Sequence, residues 1–139
     1  MQAAGEADEG ETAHMKPLVE YFAVGAAGFF GAVLRLFIGQ VCGRLFGTTF
    51  PVGTLFINVV GSFLLGWFLT FAGDRLVVSE TMRLAVAVGF LGAFTTYSTF
   101  MYESNTLWEH GALLKAIANV VGSLVFGLAA LRLGMYLAS

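Results

Sequence analysis

Charge is scarce in this 139-residue chain: 12% of its residues are Asp, Glu, Lys or Arg, against roughly a quarter in an average soluble domain. With 58% of the residues hydrophobic, a soluble fold of this size has no way to hide its apolar surface. The composition describes one integral membrane domain with no room for a separate catalytic module. A single cysteine, Cys42, excludes an internal disulfide and reads as packing. The two histidines, His14 and His110, fall in a leader and a loop and give no metal-ligand spacing. No nucleophile, base and orienter set occurs, and Gly25, Gly28 and Gly31 lie inside an apolar segment instead of a phosphate-binding turn. The chain is therefore not expected to be an enzyme.

The acid is concentrated at one end. Glu6, Asp8, Glu9 and Glu11 sit in the first 11 residues, so the formal net charge of −2 says little about the rest. Residues 1–15 read as a disordered leader or an added segment, with Met15 a possible natural start, and residues 16–139 as the membrane domain. A first apolar segment runs from residue 18 to about residue 41. Its small residues at spacings of three and four give it a face for close helix packing. Thr48-Thr49-Phe50-Pro51 supplies a helix start, and a second span covers about 52–72 with Thr54, Asn58, Gly61, Ser62 and Gly66 in a small and polar stripe. A fourth span, about 112–133, carries Asn119, Gly122, Ser123 and Gly127.

The third span is unlike the others. Residues 84–102 carry no charge over 19 residues, long enough for one membrane-crossing helix. Yet their middle is Gly89-Phe-Leu-Gly-Ala-Phe-Thr-Thr-Tyr-Ser-Thr-Phe100. Two glycines weaken the helix, and Thr95, Thr96, Ser98 and Thr99 put four hydroxyls where lipid favours Leu or Val. Polar groups and broken backbone at membrane depth persist only when buried in protein or facing a wet cavity. The expected architecture is all-α: four transmembrane helices with the third broken at mid-membrane. Its far end is Glu103-Ser104-Asn105, followed by an interfacial loop over 107–111.

Four spans place Lys16, Arg75, Arg83 and Arg132 on one side and Arg35, Arg44 and Lys115 on the other. The loop asymmetry that fixes orientation is nearly absent. Copies inserted in opposite directions can then pair about an axis in the membrane plane. An antiparallel, dual-topology homodimer is the expected assembly.

The polar residues left for chemistry are neutral: Asn58, Thr95, Thr96, Ser98, Thr99, Asn119 and Ser123. An isolated Ser or Thr in a span usually bonds the carbonyl one turn back or a neighbouring helix. A cluster beside two glycines is better explained as the lining of a path. Donors without a mid-span carboxylate suit a small anion that has lost water. Tyr97 and Phe100, three residues apart, can turn the positive edge of a ring towards it. Arg35 reads as an interfacial cation drawing anions to a vestibule or snorkelling to headgroups, and Glu103 as a vestibule residue or a solvated cap.

Gly28-Phe-Phe-Gly-Ala-Val-Leu-Arg35, Pro51-Val-Gly-Thr-Leu-Phe-Ile-Asn-Val-Val-Gly61 and the 89–100 stretch with Glu103 together resemble the CrcB-type fluoride channel family, often called Fluc. The similarity spans about residues 24–128. It implies a passive, fluoride-selective channel of the cell membrane that protects against fluoride toxicity, built as an antiparallel homodimer with two separate pores and without nucleic acid as a partner. It further implies a structural Na+ at the dimer centre held by the backbone carbonyls of Gly92 and Thr95. Asn58, Thr96, Tyr97, Ser98, Thr99, Phe100, Asn119 and Ser123 are the implied pore lining, with Arg35 and Glu103 in a vestibule. Three positions depart from the pattern: Tyr97 replaces a pore phenylalanine, Asn119 stands where some members have tyrosine, and Gly127 replaces a serine. The sodium site has a physical rationale as well, since a helix break frees hard carbonyl oxygens and a two-fold axis doubles them.

A dual-topology exporter of the small multidrug-resistance kind matches in size and charge bias. It needs a membrane carboxylate to exchange protons, and no Asp or Glu occurs between Tyr21 and Gly73. A non-transporting membrane scaffold would use the glycine faces but leaves the polar third span without a purpose.

Overall fold

The computed structural model describes the backbone of residues 2–74 and 78–139 and the side chains of residues 15–73 and 78–139. The expected leader before Met15, the side chain of Asp74, and Arg75 in the charge count lie outside those side chains. Among the described residues the elements are all helical. They are α1 (Gln2–Phe46), α2 (Val52–Asp74), α3 (Glu80–Leu84), a π-helical stretch (Ala85–Leu91), α4 (Gly92–Phe94), α5 (Tyr97–Glu109) and α6 (Leu113–Ala138). Four stretches are long and apolar enough to cross a membrane: Met15–Phe46, Val52–Gly73, Glu80–Glu109 and Leu113–Ala138. The protein is a multi-pass membrane protein.

Element ends follow local chemistry. Ser79 caps α3 by accepting the Met82 N–H at 3.2 Å. Gly47 and Gly111 take φ of 75° and 74°, the left-handed conformation that closes α1 and α5 and that glycine alone adopts freely. Two boundaries differ from expectation. The first span runs on to Phe46, and Leu107-Trp108-Glu109 form the last turn of α5 instead of a loop, which shrinks to 110–112. Helical hydrogen bonding persists there because nothing in that stretch breaks it before Gly111.

Packing is organised by two helix pairs that touch backbone to backbone. α2 lies along α6, where a Cβ on Gly66 would collide with the Leu131 carbonyl and one on Gly134 with the Phe63 carbonyl. α1 lies along the π-helical stretch, with Gly31 against the Phe90 carbonyl and Gly89 against Val24. Without a hydrophobic force between helices in lipid, such close approach is what holds spans together. Few side chains are enclosed. Ile57, Leu91, Phe94, Phe100 and Ala116 are buried, while Phe29, Phe37, Leu114 and Tyr136 stand on the outside. That distribution suits lipid as the surrounding solvent.

Candidate functional site

The buried side of the third span is where the helix stops. Thr95 (φ −77°, ψ 160°) and Thr96 (φ −150°, ψ 116°) are extended between α4 and α5, so the interruption falls past the two glycines. Gly89 serves packing against α1; the threonines make the break. Thr95 Oγ1 donates to the Leu91 carbonyl at 3.0 Å, and Thr96 turns its hydroxyl into the cap of α5. Thr96 Oγ1 accepts the Thr99 N–H at 3.3 Å and donates to Thr99 Oγ1 at 3.0 Å. Thr-x-x-Thr thus acts as an N-cap. Across from it Asn58 on α2 closes both of its amide bonds on one residue. Nδ2 donates to the Thr96 carbonyl at 3.0 Å and Oδ1 accepts the Thr96 N–H at 2.8 Å. Gly61, one turn further along α2, is the clearance for this contact, since a Cβ there would strike Thr95 Cγ2.

These side-chain bonds release two carbonyls. In an unbroken helix the Gly92 carbonyl would take the Thr96 N–H and the Thr95 carbonyl the Thr99 N–H. Both donors are diverted, one to Asn58 and one to the Thr96 hydroxyl. Gly92 is exposed on the subunit surface, and with Asn58, Ser62, Thr95 and Tyr97 it lines a concavity of about 260 Å³. Arg35 Nη1 approaches the Thr95 carbonyl at 3.4 Å. Among the described residues no three His, Cys, Asp or Glu converge, so a cation bound here would rest on carbonyl oxygens. Freed hard oxygens fit Na+ in kind.

A second concavity, of about 570 Å³, joins Arg35, Gln40, Thr54, Thr96, Thr99 and Glu103. The two residues expected at a vestibule therefore share one space with two of the threonines. Glu103 shares this space with Thr54, and its Oε2 is buried without a partner. Thr54 and Gln40 were not among the sequence candidates. Thr54 stands four residues before Asn58 on the same polar stripe, which was the available signal.

Tyr97 and Phe100 touch, with ring centroids 5.9 Å apart and planes at 51°. They do not share an environment: Tyr97 is 74% exposed and Phe100 only 6%. Ser98 and Thr99 are exposed beside them. Asn119 and Ser123, on α6, line neither concavity. Asn119 is fully buried and donates Nδ2 to Ser104 Oγ at 2.9 Å, while Ser123 Oγ is buried and unpartnered. The structure brings Asn58, Thr95, Thr96, Thr99, Arg35, Glu103 and Gly92 around the break, and leaves Asn119 against Ser104 of α5 and Ser123 on α6 outside both concavities.

A family model described as "CrcB-like protein, Camphor Resistance (CrcB)" matches residues 22–135. Among similar curated proteins, one from Methylococcus capsulatus named "Fluoride-specific ion channel FluC" is 46% identical over 117 residues, covering 84% of this chain and 51% of that protein. The chain thus spans about half of that relative's length. Proteins of the same name from Chloroflexus aurantiacus and Aquifex aeolicus are 47% identical over 113 residues and 42% identical over 107. Those matches cover 81% and 77% of this chain and 88% and 86% of the relatives.

Proposed function

The chain belongs to the CrcB-like family, and from that premise we propose that it is a fluoride channel, letting the ion leave passively down its gradient. The observation that carries this reading is the pinned interruption at Thr95 and Thr96, which gathers hydroxyls and an aromatic pair in a stretch, residues 84–102, without charge. Fluoride entering such a span gives up water and needs donors in return. The hydroxyls of Ser98, Thr99 and Ser123 can supply them, and the ring edges of Phe100 and Tyr97 can face the ion at little desolvation cost. Arg35 would raise the local anion concentration at the mouth it shares with Glu103.

In this reading the break lies at mid-membrane and two copies of opposite orientation cover it. A freed carbonyl on an exposed glycine is expensive against lipid, and a second copy is the simplest cover. The carbonyls of Gly92 and Thr95, with those of the second copy, would hold Na+, whose charge lowers the cost of an anion nearby. Asn58, expected at the pore, has both ends of its amide closed on Thr96 and would hold the path in shape from its wall. Liposomes loaded with potassium fluoride, with valinomycin to carry the potassium, test the function. Rapid fluoride release that requires the protein is expected.

A further inference from the structure

Two buried polar atoms on α6 have no partner: Asn119 Oδ1 and, one turn on, Ser123 Oγ. Asn119 is wholly enclosed, so its orphaned oxygen is not exposed to solvent or headgroups, and such an atom is costly unless something visits it. The other end of the same amide is held. Asn119 Nδ2 donates to Ser104 Oγ at 2.9 Å, and Ser104 Oγ donates to the Phe100 carbonyl at 2.7 Å. Ser104 is itself buried, four residues from Phe100 on α5.

We propose that Ser104 is a positioning residue for the anion path, acting through Asn119 by letting its amide present either end to the orphaned position beside Ser123. This rests on the fluoride-channel reading. A hydroxyl is both donor and acceptor. When Asn119 offers Nδ2 to Ser104, its unpartnered carbonyl oxygen suits a water that would donate to Oδ1 and accept from Ser123 Oγ. When the amide turns over, Ser104 rotates its O–H away from the Phe100 carbonyl and donates to Oδ1. Nδ2 then faces the position as a donor, and with Ser123 O–H it suits fluoride. The Phe100 carbonyl can release Ser104 at low cost, because it keeps its backbone partner within α5. No other residue type at 104 serves both orientations at that size except threonine or, weakly, cysteine.

The test compares fluoride release from liposomes holding equal amounts of folded protein. Ser104→Ala is expected to slow release about ten-fold, the loss of one good hydrogen bond at the limiting step, and Ser104→Thr to restore it. The decisive arm is Asn119→Leu with and without Ser104→Ala. If Ser104 acts through Asn119, the alanine change costs nothing further in the leucine background. Equal losses in both backgrounds, or Ser104→Ala releasing fluoride like the wild type, would overturn the inference. Where Ser104→Ala does not fold, Ser104→Val, which has the shape of the functional threonine without its hydroxyl, takes its place with the same outcomes. A wild-type protein that releases no fluoride would instead bring down the channel reading itself, and this inference with it.

Discussion

Asn58 and Thr96, 38 residues apart in sequence, are joined by two hydrogen bonds of 3.0 and 2.8 Å that satisfy both backbone groups of Thr96. In a helix those groups would find partners along the chain; here one asparagine replaces them. The interruption is therefore a tertiary feature, held from α2.

Asn58→Leu keeps the volume and removes both bonds. It should destabilise the folded protein by about 1–3 kcal/mol, two ordinary hydrogen bonds with buried partners left behind, and fluoride release should fall with it. A thermal melt in detergent alongside the flux assay checks this. A leucine variant as stable and as active as the wild type would show that the break holds itself.

The clearance at Gly61 predicts a pair of compensating changes. Gly61→Ala brings a Cβ onto Thr95 Cγ2 and should cost about 1–3 kcal/mol as overpacking. Thr95→Ser removes that methyl while keeping the hydroxyl bonded to Leu91. The double variant should regain most of the stability lost by Gly61→Ala alone. Additive losses would place the strain elsewhere.

Replacing Na+ by a bulky organic cation on both sides, with long incubation, should abolish release or loosen the dimer, because the carbonyls of Gly92 and Thr95 have lost their helical donors. Dimer content by size-exclusion chromatography separates the two effects. Full activity after verified sodium removal would contradict the proposed site.

Phe100→Leu keeps an apolar side chain in a buried place and removes the ring edge. An edge contact of about 1 kcal/mol corresponds to roughly five-fold in rate. Release should fall by that order in Phe100→Leu, and by less in Tyr97→Phe, which retains its ring. Equal release in Phe100→Leu and wild type would leave Phe100 as packing only.

The four spans were legible in the sequence because each is a long, predominantly apolar run with at most two charges, and lipid allows little else. The third span was legible as unusual from Thr95, Thr96, Ser98 and Thr99 beside two glycines. The break was expected between Gly92 and Thr95, from the glycines and the hydroxyl cluster together, and the extended residues are Thr95 and Thr96. Gly89 instead lets α1 approach, and the helix stops where Thr96 caps α5 and Asn58 takes over its backbone bonds. That contact joins distant residues, and no local pattern announces it. Ser104 was passed over for a similar reason: next to Glu103 and Asn105 it read as the end of a span, whereas it faces α6 and meets Asn119.

The central claim is selective passive conduction of fluoride, and the most direct measurement loads the same liposomes with fluoride and chloride at equal concentration. Two ion-selective electrodes follow both anions after valinomycin is added. The account predicts rapid, protein-dependent release of fluoride while chloride stays inside. Release of both anions at similar rates, or of neither, would contradict it.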